Sequence, residues 1–145
     1  MVRIARFALA LLLSAFSLLP DSGSAEEVSD ADRTAIRSMI AGQIEAFRND
    51  DGPEAYGFAS PEIRAIFPSV EQFMAMVRNQ YPPVYRPRSV IFGEVFNGAD
   101  GLFQKVFLIG PEGKNWVAVY SLERQADGSW RISGCVLIRD SAPSI

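Results

Sequence analysis

Near residue 88 the chain changes its hydrophobic period, and that change dictates an α+β fold. Before it, apolar residues recur at helical spacing behind capping residues; after it come four runs rich in Val, Ile, Phe, Tyr and Trp. Ser29, with Asp32 as a reciprocal cap, opens a helix carrying Ile36, Ile40, Ile44 and Phe47 that ends near Arg48. Asp51, with Pro53 and Glu54, caps a short second helix holding Tyr56 and Phe58, and Ser60-Pro61-Glu62 opens a third. Ser69 and Gln72 open a fourth, with Phe73, Met76, Val77 and Gln80 along one side, and Pro82-Pro83 stop it. The strands are expected over Ser89–Phe96, Leu102–Ile109, Trp116–Glu123 and Trp130–Ile138. Turns are expected at Asn97-Gly98, Pro111-Glu112-Gly113 and Asp127-Gly128. Helices in series followed by strands in series predict helices packed on one face of a four-stranded antiparallel meander, in a single domain over residues 26–145.

Residues 1–25 are read as a cleaved signal peptide. Arg3 and Arg6 form a basic start, Phe7 to Leu19 an apolar stretch too short to span a bilayer, and Gly23-Ser24-Ala25 a small-residue cleavage site. The expected product is exported, periplasmic or secreted, with no membrane attachment after cleavage. Loss of Arg3, Arg6 and Asp21 takes the net charge from −3 to −4. A mildly acidic domain has no general attraction for nucleic acid or anionic lipid, so nucleic-acid binding is excluded. The chain has no histidine, which removes the usual general base and the commonest metal ligand. No cofactor or metal is expected. The single cysteine, Cys135, cannot form an internal disulfide; its neighbours Val136, Leu137 and Ile138 favour burial over an intermolecular bond.

The strands do not alternate apolar with polar residues. Phe103, Phe107 and Ile109 oppose Leu102, Val106 and Leu108, and Val90, Phe92 and Phe96 oppose Ile91 and Val95. Helices from so short a chain cover one face, so the second apolar face predicts either a homodimer through the outer face or a sheet curled over itself. Asn49-Asp50-Asp51-Gly52 lacks the alternating oxygen ligands and distant glutamate of a calcium loop and reads as a helix end followed by a new cap. Trp116 and Trp130 are expected in the core rather than lining a pocket.

A further set of residues carries a likeness. The run Asn49-Asp50-Asp51-Gly52, Ala55-Tyr56, Phe58-Ala59-Ser60-Pro61, Ile63-Arg64 and Phe67-Pro68-Ser69 is followed by Phe73-Met74, Met76-Val77-Arg78 and Tyr81. Pro83-Val84-Tyr85-Arg86-Pro87-Arg88 and Asp127-Gly128-Ser129-Trp130-Arg131-Ile132 complete the pattern. Over nearly the whole mature chain it resembles the bacterial family catalogued as domain of unknown function 4864. That resemblance implies kinship with the nuclear transport factor 2-like fold, a curved antiparallel sheet wrapped around helices as a cone. This chain shows no strand inserted among its helices, as many members of that fold do. The fold hosts isomerases, dehydratases, epoxide hydrolases, binding domains and assembly modules, so function must be argued from a site.

Tyr85-Arg86-Pro87-Arg88 leads from the last helix into the first strand. Arginines two apart in an extended segment point the same way, as a clamp for a carboxylate or phosphate at the cone mouth would need, with Tyr85 on the opposite side. The competing reading ties these arginines to Asp50 and Asp51. For catalysis on such a cone the available elements are Glu94, which alternates with Phe92 and Phe96, and Tyr120. A salt bridge between Glu94 and Lys105 would leave Glu94 ordinary. The expectation is therefore a non-catalytic exported domain that binds a small molecule or a protein partner through Tyr85, Arg86 and Arg88. The alternative is a cofactor-independent isomerase, dehydratase or hydrolase using a cavity carboxylate.

Overall fold

The computed structural model describes residues 27–141; the expected signal segment lies outside them. Five helices precede four strands among the described residues: α1 (Asp30–Arg48), α2 (Gly52–Gly57), α3 (Pro61–Ile66), α4 (Val70–Gln80), α5 (Pro82–Tyr85), β1 (Ser89–Gly98), β2 (Gly101–Ile109), β3 (Asn115–Arg124) and β4 (Trp130–Arg139). The strands form one antiparallel sheet in the order β1-β2-β3-β4.

The first four helices begin where capping chemistry places them. The amides of Asp32, Glu54, Ile63 and Gln72 donate to the side chains of Ser29, Asp51, Ser60 and Ser69, and the Ser29 hydroxyl donates back to Asp32 at 2.9 Å. Each such cap is worth about 1 kcal/mol because it satisfies an amide that the helix leaves without a partner. α5 departs from expectation. Pro82 and Pro83 do stop α4, but a proline at a helix start gives up no intrahelical hydrogen bond, so the pair also begins a new short helix.

α1 lays Ile36, Ile40, Ile44 and Phe47 against the inner face of the sheet, where Val106, Leu108, Ala118, Tyr120, Leu122 and Ile132 are buried. Trp130 closes one end, its indole N–H donating to Asp32 at 3.2 Å while the Arg124 guanidinium lies over its ring. Trp116 sits on the same face at the other end, half-buried beneath Arg139.

Two bulges break the ladders. Gly93 and Glu94 together face Lys105, and Ser133 is the extra residue opposite Ser121–Leu122. A bulge bends its strand and shifts the phase of everything beyond it. In β1 this corrects the simple alternation: Val90, Phe92 and Val95 face the core, whereas Ile91 and Phe96 face outward, Phe96 stacking on Phe103 at 5.4 Å. Buried Gln104 closes the gap, its amide donating to the carbonyls of Gly93, Glu94 and Lys105 at 3.0, 3.3 and 2.7 Å. The first hairpin also turns later than expected. Asn97 and Gly98 belong to β1, and Ala99-Asp100 make the turn. A Cβ on Gly98 would stand 2.4 Å from the Phe103 ring, so the glycine serves that packing rather than the reversal. The other two turns fall where expected, with Gly113 and Gly128 at positive φ.

Candidate functional site

The helices do not fill the inner face of the sheet completely. A cavity of about 330 Å³ lies between them, at the lower end of the range of roughly 300–1,000 Å³ for small-molecule sites. α1 contributes Gln43 and Phe47, the α3 region Ala59, Ile63 and Phe67, and α4 the stripe Phe73, Met76, Val77 and Gln80. Tyr81 and Val84 close it beside α5, and Tyr120, Ile132 and Cys135 form the sheet side. Ser121, Gly134 and Val136 complete the lining, with Gly134 to Val136 on β4, the last strand in the sheet order, whose Ile132 is bridged by Ala59. Among the described residues no charged side chain lines this cavity.

Its polar groups are few. Gln43 is held by its amide donating to the Ala55 carbonyl at 3.1 Å, and the Tyr81 hydroxyl donates to the Cys135 carbonyl at 3.1 Å. Tyr120 is different: it is 1 % exposed, and its hydroxyl has no hydrogen-bond partner among the described residues. Burial, with Cys135 adding to it, holds the Tyr120 phenol well above its ordinary range, so it stays protonated. The same two causes raise Tyr81. Burial pushes the Cys135 thiol up to about 12, so it is neither a nucleophile nor a thiolate ligand near neutral pH.

Tyr85, Arg86 and Arg88 lie elsewhere. The Tyr85 hydroxyl donates to Asp50, and Arg86 donates to the Phe47 carbonyl and, at 2.9 Å, to Asp50. The Arg86 guanidinium also lies 4.0 Å from the centroid of the Tyr85 ring. Asp50 occupies the left-handed region at the end of α1 (φ 53°), and Arg48 donates to the Pro87 carbonyl at 3.3 Å. These contacts fasten α5 to the end of α1 and hold Phe47 between Phe73 and Tyr85, at 6.2 and 6.1 Å. Tyr85 and then Arg86 lower the Asp50 carboxyl below its usual value. This tie therefore contributes above the ordinary aspartate pKa and is lost as the pH falls through the lowered one. Arg88 is exposed, its guanidinium near Gly113 in the β2–β3 turn. Arg86 and Arg88 thus contact different elements, and none of the three residues lines the cavity. Glu94 is exposed and paired with Lys105 at 3.0 Å, away from Tyr120.

The family described as Domain of unknown function (DUF4864) matches residues 29–145, which takes in every element of this fold and the whole lining of the cavity. The chain belongs to that family. No curated protein and no solved structure matches it. Among its described residues the DUF4864 domain thus presents a cavity without charged side chains within an α+β fold, and no helix long and apolar enough to cross a membrane.

The sequence signals for the cavity were the α4 stripe, read as one side of a helix, and Tyr120, named with Glu94 as an element for chemistry; Tyr120 does line the cavity and Glu94 does not. The exceptional state of the Tyr120 hydroxyl arises from the fold, which buries it opposite Cys135 with no acceptor among the described residues.

Proposed function

We propose that this DUF4864 domain is a non-catalytic binding module that holds a small uncharged molecule in the cavity between its helices and sheet. The observation that carries this reading is that, among the described residues, the lining holds no charged side chain. General acid–base catalysis by a cavity carboxylate needs that carboxylate within reach of the substrate, and Glu94 stands in solvent beside Lys105. A charged ligand would have to shed its hydration with no partner for its charge. We read the architecture as a nuclear transport factor 2-like cone, supported by the order of elements, the two strand bulges and the hollow against the sheet. We read residues 1–25 as a cleaved leader on their basic start, short apolar stretch and small-residue end, which supports an exported protein acting in the periplasm or outside the cell; the exported chain is expected to begin at Glu26 on N-terminal sequencing. We also propose that two copies pair through the outer face of the sheet, where Ile91, Phe107, Ile109, Val136 and Ile138 are exposed.

Two fluorophores of one skeleton test the binding reading. N-phenyl-1-naphthylamine is uncharged, and 1-anilinonaphthalene-8-sulfonate adds a permanent negative charge. The neutral probe is expected to bind saturably at one site, at least tenfold more tightly than the sulfonate. Met76→Trp, which fills the cavity from a half-buried position on α4, is expected to abolish that binding. Equal binding of both probes, or neutral-probe binding that survives Met76→Trp, would place the dye on the exposed sheet face and overturn the reading.

A further inference from the structure

We infer that the Tyr120 hydroxyl is the polar anchor of the cavity, and that its ligand is a neutral, mostly hydrocarbon molecule carrying one hydrogen-bond acceptor such as a ketone, ester or ether oxygen. This rests on the cavity-binding reading and adds the chemical class of the occupant. Three buried side-chain polar atoms among the described residues have no partner: Arg64 Nε, Gln104 Oε1 and the Tyr120 hydroxyl. Only Tyr120 lines the cavity. The other lining phenol, Tyr81, is already committed to the Cys135 carbonyl, and the buried Gln43 amide to Ala55.

A hydroxyl buried without a partner destabilises the empty fold, because it has left water and gained nothing in return. Phenylalanine would fill the same space without that penalty. Sites built for a ligand are where such a local cost is found, since the missing bond is completed on binding. Protonated throughout the accessible pH range, the phenol is a donor, which fixes the complementary group as an acceptor. The walls from Phe47, Phe73, Val77 and Ile132 ask for hydrocarbon, with Gln80 and Ser121 the further polar side chains of the lining.

The test pairs two molecules of nearly equal shape, 2-acetylnaphthalene and 2-ethylnaphthalene, with Tyr120→Phe in the otherwise intact domain. The wild type is expected to bind the ketone about three- to tenfold more tightly than the hydrocarbon, the range set by one net hydrogen bond. Tyr120→Phe is expected to erase that preference while binding 2-ethylnaphthalene as before, and to raise the melting temperature of the empty domain by a few degrees. If both molecules bind equally to the wild type, or the ketone preference survives in Tyr120→Phe, the anchor assignment is wrong while the binding reading stands. A lower melting temperature in Tyr120→Phe would likewise overturn the assignment, showing a hydroxyl already satisfied without ligand. If neither molecule binds the wild type, the binding reading itself falls.

Discussion

Gln104→Glu is expected to lower the stability of the domain by about 3–5 kcal/mol at neutral pH, the usual penalty for an uncompensated buried charge. Gln104 is fully buried on the inner face of β2, and its amide nitrogen serves three carbonyl oxygens around the β1 bulge. A carboxylate there would set a negative charge against those oxygens. The nearest lysine in sequence, Lys105, points to the opposite face and is engaged by Glu94. The penalty must depend on pH, and its sign follows from the chemistry. Burial among carbonyls raises the carboxyl's folded-state pKa above its unfolded value of about 4.3, so the folded state keeps the proton longer than the unfolded state does. The deficit relative to wild type is therefore smallest below about pH 4 and grows as the pH rises through the folded-state value. Gln104→Leu should cost about 1–3 kcal/mol for the stranded carbonyls, with no such pH dependence. Urea denaturation of the three proteins from pH 3.5 to 8 reads both effects. A Gln104→Glu domain as stable as wild type at pH 7 would show that water, rather than the amide, closes the bulge.

What the sequence disclosed follows the range of the interactions involved. The caps at Ser29, Asp51, Ser60 and Ser69 were legible because a cap reaches only three residues along the chain. The division of β2 into two faces was legible because nothing interrupts its alternation; which face is inward the sequence left open. In β1 the same reasoning failed at Gly93–Glu94, since a bulge answers to the partner strand and to Gln104 eleven residues away. Asn97-Gly98 carried a hairpin signal, yet the stacking of Phe96 on Phe103 and the packing of that ring against Gly98 displaced the turn by two residues. At Tyr85-Arg86 the sequence supported both an anion clamp and a tie to Asp50, and it is Asp50 that Arg86 meets. The cavity is a gap left by five separate parts of the fold, and no local pattern announces a gap.

The second large effect concerns association. Wild-type protein is expected to sediment as a dimer at tens of micromolar, and Phe107→Asp to sediment as a monomer that keeps its fold. Ile91, Phe107, Val117 and Ile138 are register partners across all four strands and form one apolar row on the outer face, with Val119 and Val136 beside it. At strand spacings of about 4.8 Å and rises of about 3.3 Å per residue, four strands of nine or ten residues present roughly 600 Å² of flat area. The relief of the side chains carries the accessible area toward the about 800 Å² per partner of a standard interface. A second copy suits this face because its acids and bases balance: Glu94 pairs with Lys105, and Glu123 stands opposite Arg131. A two-fold axis can therefore bring the face onto itself without like-charge repulsion. Phe107 lies on an inner strand and is 42 % exposed in the single chain. An aspartate there would set two carboxylates into the apolar centre of the dimer, whereas in the monomer it would meet solvent. Phe107→Leu should remain dimeric. A wild-type mass of one chain at several hundred micromolar would remove the pairing, and retention of the dimer in Phe107→Asp would move it to another surface.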